Sequence, residues 1–246
     1  MKNQKINIIV QARMGSTRLP GKILKPIMGR PMLSYLVERL RRVQSIHHLI
    51  IASTINPEDD VIEAFCKKEH ISIYRGSEND VLDRYYQTCC KYPAKIIVRI
   101  TSDCPLIDPS IIDQAINLLR EKSPKLDYVS NTQLRTFPRG MDVEVFYFDT
   151  LKIAAKETKS KSDREHVTPY IYKHPNLFYL ANFIYMPDAS KYRLTVDTIE
   201  DFTLINSIFE TLYPHNKNFT LSDILHAFEQ YPEWNKINAH IKQKRI

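Results

Sequence analysis

Residues 11–22 of this 246-residue chain bring together side chains with an affinity for anions. Arg13, Arg18 and Lys22 supply three cations, while Ala12, Gly15 and Gly21 keep the backbone uncrowded and Ser16 and Thr17 add hydroxyl donors. Glycines let backbone N–H groups approach an anion closely, and charge-assisted hydrogen bonds from arginine and lysine hold phosphate oxygens. The chemistry implied is the binding of a polyphosphate. Neither the Walker pattern nor the GxGxxG fingerprint is present, so ATPase and dehydrogenase readings lack their signature. On composition alone, a basic surface loop is the alternative.

Such a loop needs a strand before it and a helix after it. Residues 6–10 are a short β-rich run, and 31–43 read as a helix with Leu33, Leu36, Val37 and Leu40 on one face. Strands follow at 48–53, 71–74 and 95–100, alternating with helices after Pro57, over 80–92 and over 109–120. Apolar strands alternating with helices predict an α/β fold: a Rossmann-like, mostly parallel sheet with helices on both faces. Beyond residue 125 the alternation weakens into a smaller irregular α+β region. Strands are expected at 127–130, 143–147, 177–185 and 192–196, and helices at 150–156, 164–172, 199–212, 221–231 and 234–244. The expected organisation is one domain, with a nucleotide-binding half at 1–124, an acceptor-binding region at 125–212 and C-terminal helices at 213–246.

The formal charge of +7 is local. Residues 1–50 carry ten basic side chains against Glu38 alone, so the remainder of the chain is net acidic. Arg39, Arg41 and Arg42 read as a solvated helix terminus complementing the helix dipole. A nucleic-acid-binding protein would spread its cations over a face with interleaved aromatics, and the acidic remainder argues against it. The four cysteines form no CxxC pair and read as reduced thiols rather than a disulfide framework or zinc cage. No stretch approaches the roughly 18 apolar residues of a membrane helix, and no secretory h-region opens the chain, so a soluble cytoplasmic protein without membrane association is expected.

The loop at 9–22 (IVQARMGSTRLPGK) resembles the N-terminal signature of the nucleotidyltransferases that activate sugars. The likeness is strongest to the cytidylyltransferase branch, and within it to the spore coat polysaccharide biosynthesis protein F group, related to the acylneuraminate and 3-deoxy-manno-octulosonate enzymes. Five further segments resemble group motifs in the same order: 74–86 (YRGSENDVLDRYY), 99–109 (RITSDCPLIDP), 140–146 (GMDVEVF), 164–168 (REHVT) and 194–202 (LTVDTIEDF). The resemblance implies a Mg²⁺-dependent transfer of CMP from CTP to an acceptor for surface polysaccharide, with release of pyrophosphate; because no suitably placed nucleophile with a base partner is present in the sequence, in-line attack without a covalent enzyme intermediate is expected. It implies Asp103 and Asp197 as metal carboxylates at strand ends, and Arg13, Arg18 and Lys22 on the β- and γ-phosphates. Ser53, Arg75, Asp80 and Arg84 correspond to nucleoside and base contacts. Residue by residue, Asp197 could instead cap the helix at 199–212, a task open to Thr198, and Asp103 could be a turn residue before Pro105. Arg84 could equally pair with Asp80 one helical turn away.

Acceptor recognition falls to the less regular half, where Arg139, Asp142 and Glu144 surround Gly140, and Arg164, Glu165 and His166 open a helix. These mixed charges suit an acidic or phosphorylated sugar-like acceptor. His166 could deprotonate it or serve only to orient neighbours. This half departs from the neuraminate and octulosonate enzymes, so the acceptor need not be a nine- or eight-carbon sugar acid. A homodimer is implied, with part of 125–190 as its arm. A glycosyltransferase on the same sheet is the competing enzyme reading, but its Asp-x-Asp is absent where the chain has Ser102-Asp103-Cys104.

Overall fold

The computed structural model describes residues 4–121 and 126–243. In chain order the first half contains β1 (Ile6–Gln11), a two-strand hairpin of β2 (Pro26–Ile27) and β3 (Arg30–Pro31), α1 (Met32–Leu40), β4 (His48–Thr54) and α2 (Asp60–Lys68). It continues through β5 (Ser72–Gly76), α3 (Val81–Lys91), β6 (Ile96–Thr101) and α4 (Pro109–Glu121). The second half holds β7 (Tyr128–Ser130), β8 (Glu144–Tyr147), α5 (Phe148–Glu157), α6 (Lys161–His166), α7 (Pro169–Lys173), β9 (Leu180–Asn182), α8 (Ile199–Leu212), α9 (Leu221–Gln230) and α10 (Trp234–Ile237).

One mixed sheet runs β5-β4-β1-β6-β8-β7-β9. Its first four strands are parallel, and β8 pairs antiparallel with both β6 and β7. The continuous apolar strands are explained by burial on both faces. Ile6, Ile8 and Val10 of β1 join Ile96, Val98 and Ile100 of β6 in a cluster that includes α1, α2, α4, α8 and α9. Ile9 and Ile97 point the other way, into a cluster with Leu82 and Tyr85 of α3, Leu151 of α5 and Ile171 of α7. The expected Rossmann-like layer with helices on both faces is therefore present.

Four of the expected elements differ. Residues 192–196 form no ladder and make a single bridge, Arg139 to Arg193, through Arg139 N–H to Tyr192 O (3.1 Å) and Leu194 N–H to Arg139 O (2.7 Å), while Val196 N–H turns to Asp103 O (2.8 Å). The strand expected over 177–185 shrinks to β9, since only these three residues pair with β7. The helix expected over 164–172 breaks at Val167, which has φ 72°, and Pro169 then starts α7 at its first turn. Helix α10 stops at Ile237, where Asn238 turns its side chain inward to Arg193 O and Asp201. The expected boundary at 124–125 and the helix end at Lys244 lie outside the described residues.

Arg39 corrects the solvated-terminus reading. It is 2% exposed, donates from Nε to Ile107 O (2.7 Å) and from Nη2 to Phe219 O (2.8 Å), and stacks 4.5 Å from the Phe219 ring centroid. Burial lowers its pKa to about 10. Arg41 and Arg42 likewise reach the carbonyls of Glu69 and Lys217. Part of the basic surplus thus ties loops together.

Candidate active site

A cleft of about 810 Å³ opens at the carboxyl ends of β1 and β6. The strand order reverses here, since β4 and β5 follow on one side of β1 and β6 lies on the other. Open α/β sheets receive ligands at such a crevice. The loop after β1 forms one wall, with Ala12, Arg13, Gly15, Ser16, Arg18 and Lys22, and Thr101, Ser102 and Asp103 continue from β6. Asp80 and Arg84 of the α3 turn face the loop, together with Lys161, Arg164, Glu165 and His166 of α6. Asp197 completes the lining.

Asp103 and Asp197, 94 positions apart in sequence, converge on one ammonium group. Lys22 Nζ lies 3.3 Å from Asp103 Oδ2 and 3.0 Å from Asp197 Oδ1, and donates to Val196 O at 2.6 Å. Asp197 Oδ2 also meets Arg18 Nη2 (2.9 Å) and Arg193 Nη2 (2.8 Å). Burial opposes the charge on Lys22, yet the two carboxylates outweigh it and raise its pKa. Burial alone would push Asp197 up, but Lys22 and Arg18 hold it below the usual carboxylate value. Asp197 is free of the capping task. Thr198 caps α8 in a reciprocal box with Asp201, its hydroxyl accepting from Asp201 N–H.

The loop is braced from below by a residue that the sequence reading did not single out. Asp59, fully buried, accepts Met14 N–H at Oδ1 (2.7 Å) while its Oδ2 accepts from the Thr54 hydroxyl. Met14 O in turn accepts from Ser16 N–H (2.8 Å) and Gly21 N–H (3.1 Å), and Gly21 turns the chain at φ 68°. Arg13 is drawn across the mouth by Glu78 (3.0 Å), which also holds Asn56. An Asp two residues after Pro57 is the sequence signal for the Asp59 brace, and it looks the same as a helix-start acid.

On the opposite wall, Asp80 caps α3 by accepting Asp83 N–H and pairs with Arg164 Nε at 2.7 Å. The expected alternative pairing with Arg84 is not made: Arg84 Nη1 goes to Ser77 O (2.9 Å). Its buried Nε has no partner, and burial together with Arg13 lowers its pKa. Arg164 also donates to Ala155 O and Thr158 O, so it anchors α6. His166 faces the cleft, and burial lowers its pKa below 6.5, only partly offset by Glu165.

Five expected site residues lie elsewhere. Ser53 is fully buried within the sheet, and Arg75 leaves the site because Thr54 O, Asn56 O, Asp60 and Glu63 hold it outside. Glu144, expected to contact the acceptor, is a core carboxylate: it pairs with Arg99 and accepts from the hydroxyls of Tyr128 (2.6 Å) and Thr168. Asp142 forms a two-point pair with Arg135 (2.6 and 2.9 Å). Arg139 lines a separate pocket of about 230 Å³ with Lys191, Arg193 and Asn238. Sequence proximity to Gly140 grouped these three, but none of them lines the cleft.

A family model described as cytidylyltransferase matches residues 7–246. The chain is 39% identical over 246 residues to an uncharacterised protein of Methanocaldococcus jannaschii, covering 98% of this chain and 97% of that one. It is 36% identical over 212 residues to the spore coat polysaccharide biosynthesis protein SpsF of Bacillus subtilis, covering 83% and 86% respectively. The solved structure of a cytidylyltransferase from Leptospira borgpetersenii superposes with a TM-score of 0.90 at 35% identity, covering 98% of this chain and all of that one. No described helix is long and apolar enough to cross a membrane. With the family match running nearly end to end over the sheet and cleft described above, the chain belongs to the cytidylyltransferase family.

Proposed function

We propose that the protein transfers CMP from CTP to an acidic or phosphorylated sugar-like acceptor, releasing pyrophosphate, in the synthesis of a surface polysaccharide. What carries the reading is one observation: two carboxylates, Asp103 just after β6 and Asp197 just before α8, and three cations, Arg13, Arg18 and Lys22, border a single cleft. The donor set suits Mg²⁺, because Asp103 and Asp197 are spaced closely enough to share one cation, Lys22 Nζ. Among the described residues no cluster of three or more His, Cys, Asp or Glu side chains surrounds a metal position, and Mg²⁺ is commonly held by one or two carboxylates with phosphate oxygens completing its shell. When bound, Mg²⁺ offsets the charge that builds at the α-phosphate.

Arg13 and Arg18 bind the outer phosphates and, with Lys22, stabilise the departing pyrophosphate. Arg84 lines the cleft beside Asp80, which keeps α6 in register through Arg164. Burial lowers the His166 pKa, which favours the neutral imidazole that would accept the acceptor hydroxyl proton as that oxygen attacks in line. Lys161 and Glu165 complete the acceptor wall. The same reading makes the protein a cytoplasmic homodimer, supported by exposed Leu134, Tyr179, Ile184 and Met186 within 125–190.

Incubation with Mg²⁺, each of the four NTPs and a panel of sugar acids and sugar phosphates is expected to release pyrophosphate with CTP. Silence across the panel refutes the reading. Asp103→Asn is expected to abolish release with the melting temperature near that of the parent, and retained turnover removes Asp103 from the metal role.

A further inference from the structure

Asp197 is held from behind by a buried network that reaches the C-terminal segment. Arg193, 8% exposed, places Nη2 between Asp197 Oδ2 (2.8 Å) and Asp201 Oδ2 (2.9 Å), while its Nε meets Asp201 Oδ1 (2.8 Å). Its remaining terminal nitrogen donates to Gln243 Oε1 at 2.6 Å. Asp201, fully buried in the first turn of α8, also accepts the backbone N–H groups of Asp197 (2.9 Å) and Thr198 (3.2 Å). Asn238, just past α10, donates from Nδ2 to Asp201 Oδ1 (2.8 Å) and to Arg193 O (3.0 Å).

The geometry points to Arg193, Asp201 and Asn238 as positioning residues for Asp197, which makes the C-terminal segment a working part of the cleft. This rests on the reading of Asp197 as a cation-binding carboxylate. Two properties of the network argue for positioning rather than packing alone. Asp201 fixes the backbone of Asp197 while Arg193 fixes one of its oxygens, so the second oxygen, Oδ1, is left aimed at Lys22 and Asp103. Asp201 also balances the charge of Arg193, so the arginine orients Asp197 without cancelling the charge that a cation needs. Partners behind a metal ligand typically influence metal affinity or activity by 10–100-fold.

Mn²⁺ binding to the full-length protein in the presence of CTP, followed by electron paramagnetic resonance, tests this alongside kcat, KM for CTP and thermal melting. Asn238→Ala and Arg193→Lys are each expected to raise the Mn²⁺ dissociation constant at least tenfold, with KM for CTP changed less than kcat. Arg193→Lys keeps the charge but cannot reach Asp197, Asp201 and Gln243 together, so it reads geometry apart from charge. Mn²⁺ affinity and kcat at parental values in Arg193→Lys overturn the proposal, whatever happens to the melting temperature. If Asn238→Ala fails to fold, Arg193→Lys alone decides. Asp197→Asn run in parallel separates the two readings: parental Mn²⁺ affinity there refutes the assignment of Asp197 as a cation-binding carboxylate, whereas lost affinity there with parental affinity in Arg193→Lys refutes only the positioning.

Discussion

Replacing Glu144 with glutamine keeps the shape of the side chain and removes the charge that faces Arg99. The two residues sit directly opposite each other in the antiparallel register of β6 and β8, with side chains 13% and 9% exposed. Burial opposes the charge on Arg99 and Glu144 more than compensates, leaving the arginine pKa above its ordinary value. Removing one member of a buried pair typically costs about 3–5 kcal/mol, because the survivor is left charged and uncompensated. The low end applies here, since Arg99 Nη2 keeps Gln11 Oε1 (3.0 Å) and glutamine still offers a partner to the Tyr128 and Thr168 hydroxyls. A loss of about 3 kcal/mol is a large share of the 5–15 kcal/mol typical of a folded protein, and corresponds to roughly 6–12 °C in melting temperature at this size. Urea unfolding with both circular dichroism and fluorescence measures it. Arg99→Leu combined with Glu144→Leu removes both charges but takes away the acceptor of the Tyr128 and Thr168 hydroxyls, so it is expected to recover only part of the loss. A Glu144→Gln protein that loses under about 1 kcal/mol while its KM for acceptor rises would refute this reasoning and return Glu144 to the acceptor site.

Gly140→Ala is expected to destabilise by about 3 kcal/mol and to depress turnover. Its φ is 98°, and an added Cβ would lie 2.5 Å from the Leu194 carbonyl, forcing the segment that carries Asp197 to move. Thr198→Ala should cost about 1 kcal/mol of stability in chemical denaturation and leave CTP turnover nearly unchanged, because capping, not catalysis, is its task. Asp197 also sets an acid limit. Its folded pKa lies below the usual 3.8, so its stabilising effect is complete above that value and is lost as pH falls through the folded pKa. Asp197→Asn should therefore flatten the pH dependence of urea stability below about pH 4, and an unchanged acid limb would count against the Lys22 and Arg18 pairing.

The loop after β1 was legible because its cations and glycines are neighbours in sequence, and the sheet was legible because strands buried on both faces are apolar throughout. The approach of Asp103 and Asp197 was expected from two strand ends, but only Asp103 follows a strand, β6; residues 192–196 make a single bridge, and Val196 N–H to Asp103 O brings Asp197 into place. What sequence hid was partnership across distance. Arg99 and Glu144 each interrupt an apolar strand, which signals a buried partner, but only the antiparallel register between β6 and β8 reveals that each is the other's partner. Arg39 lies on the helix face near Leu36 and Leu40, and its chain position gave no hint that Ile107 O and Phe219 O, 68 and 180 residues away, would receive it. Arg75 and Arg139 had suitable chemistry and unsuitable locations.

Val167 links the last two of these themes. It is fully buried, holds φ 72° and ψ −57°, and closes a tight turn in which Thr168 N–H donates to His166 O (2.9 Å). A β-branched residue pays a steric cost there, sustained because its side chain fills the core and Thr168 is tethered to Glu144. The reach of His166 into the cleft is thus dictated from inside the protein. A change of side-chain volume at Val167, which does not itself line the cleft, would therefore shift His166 within it.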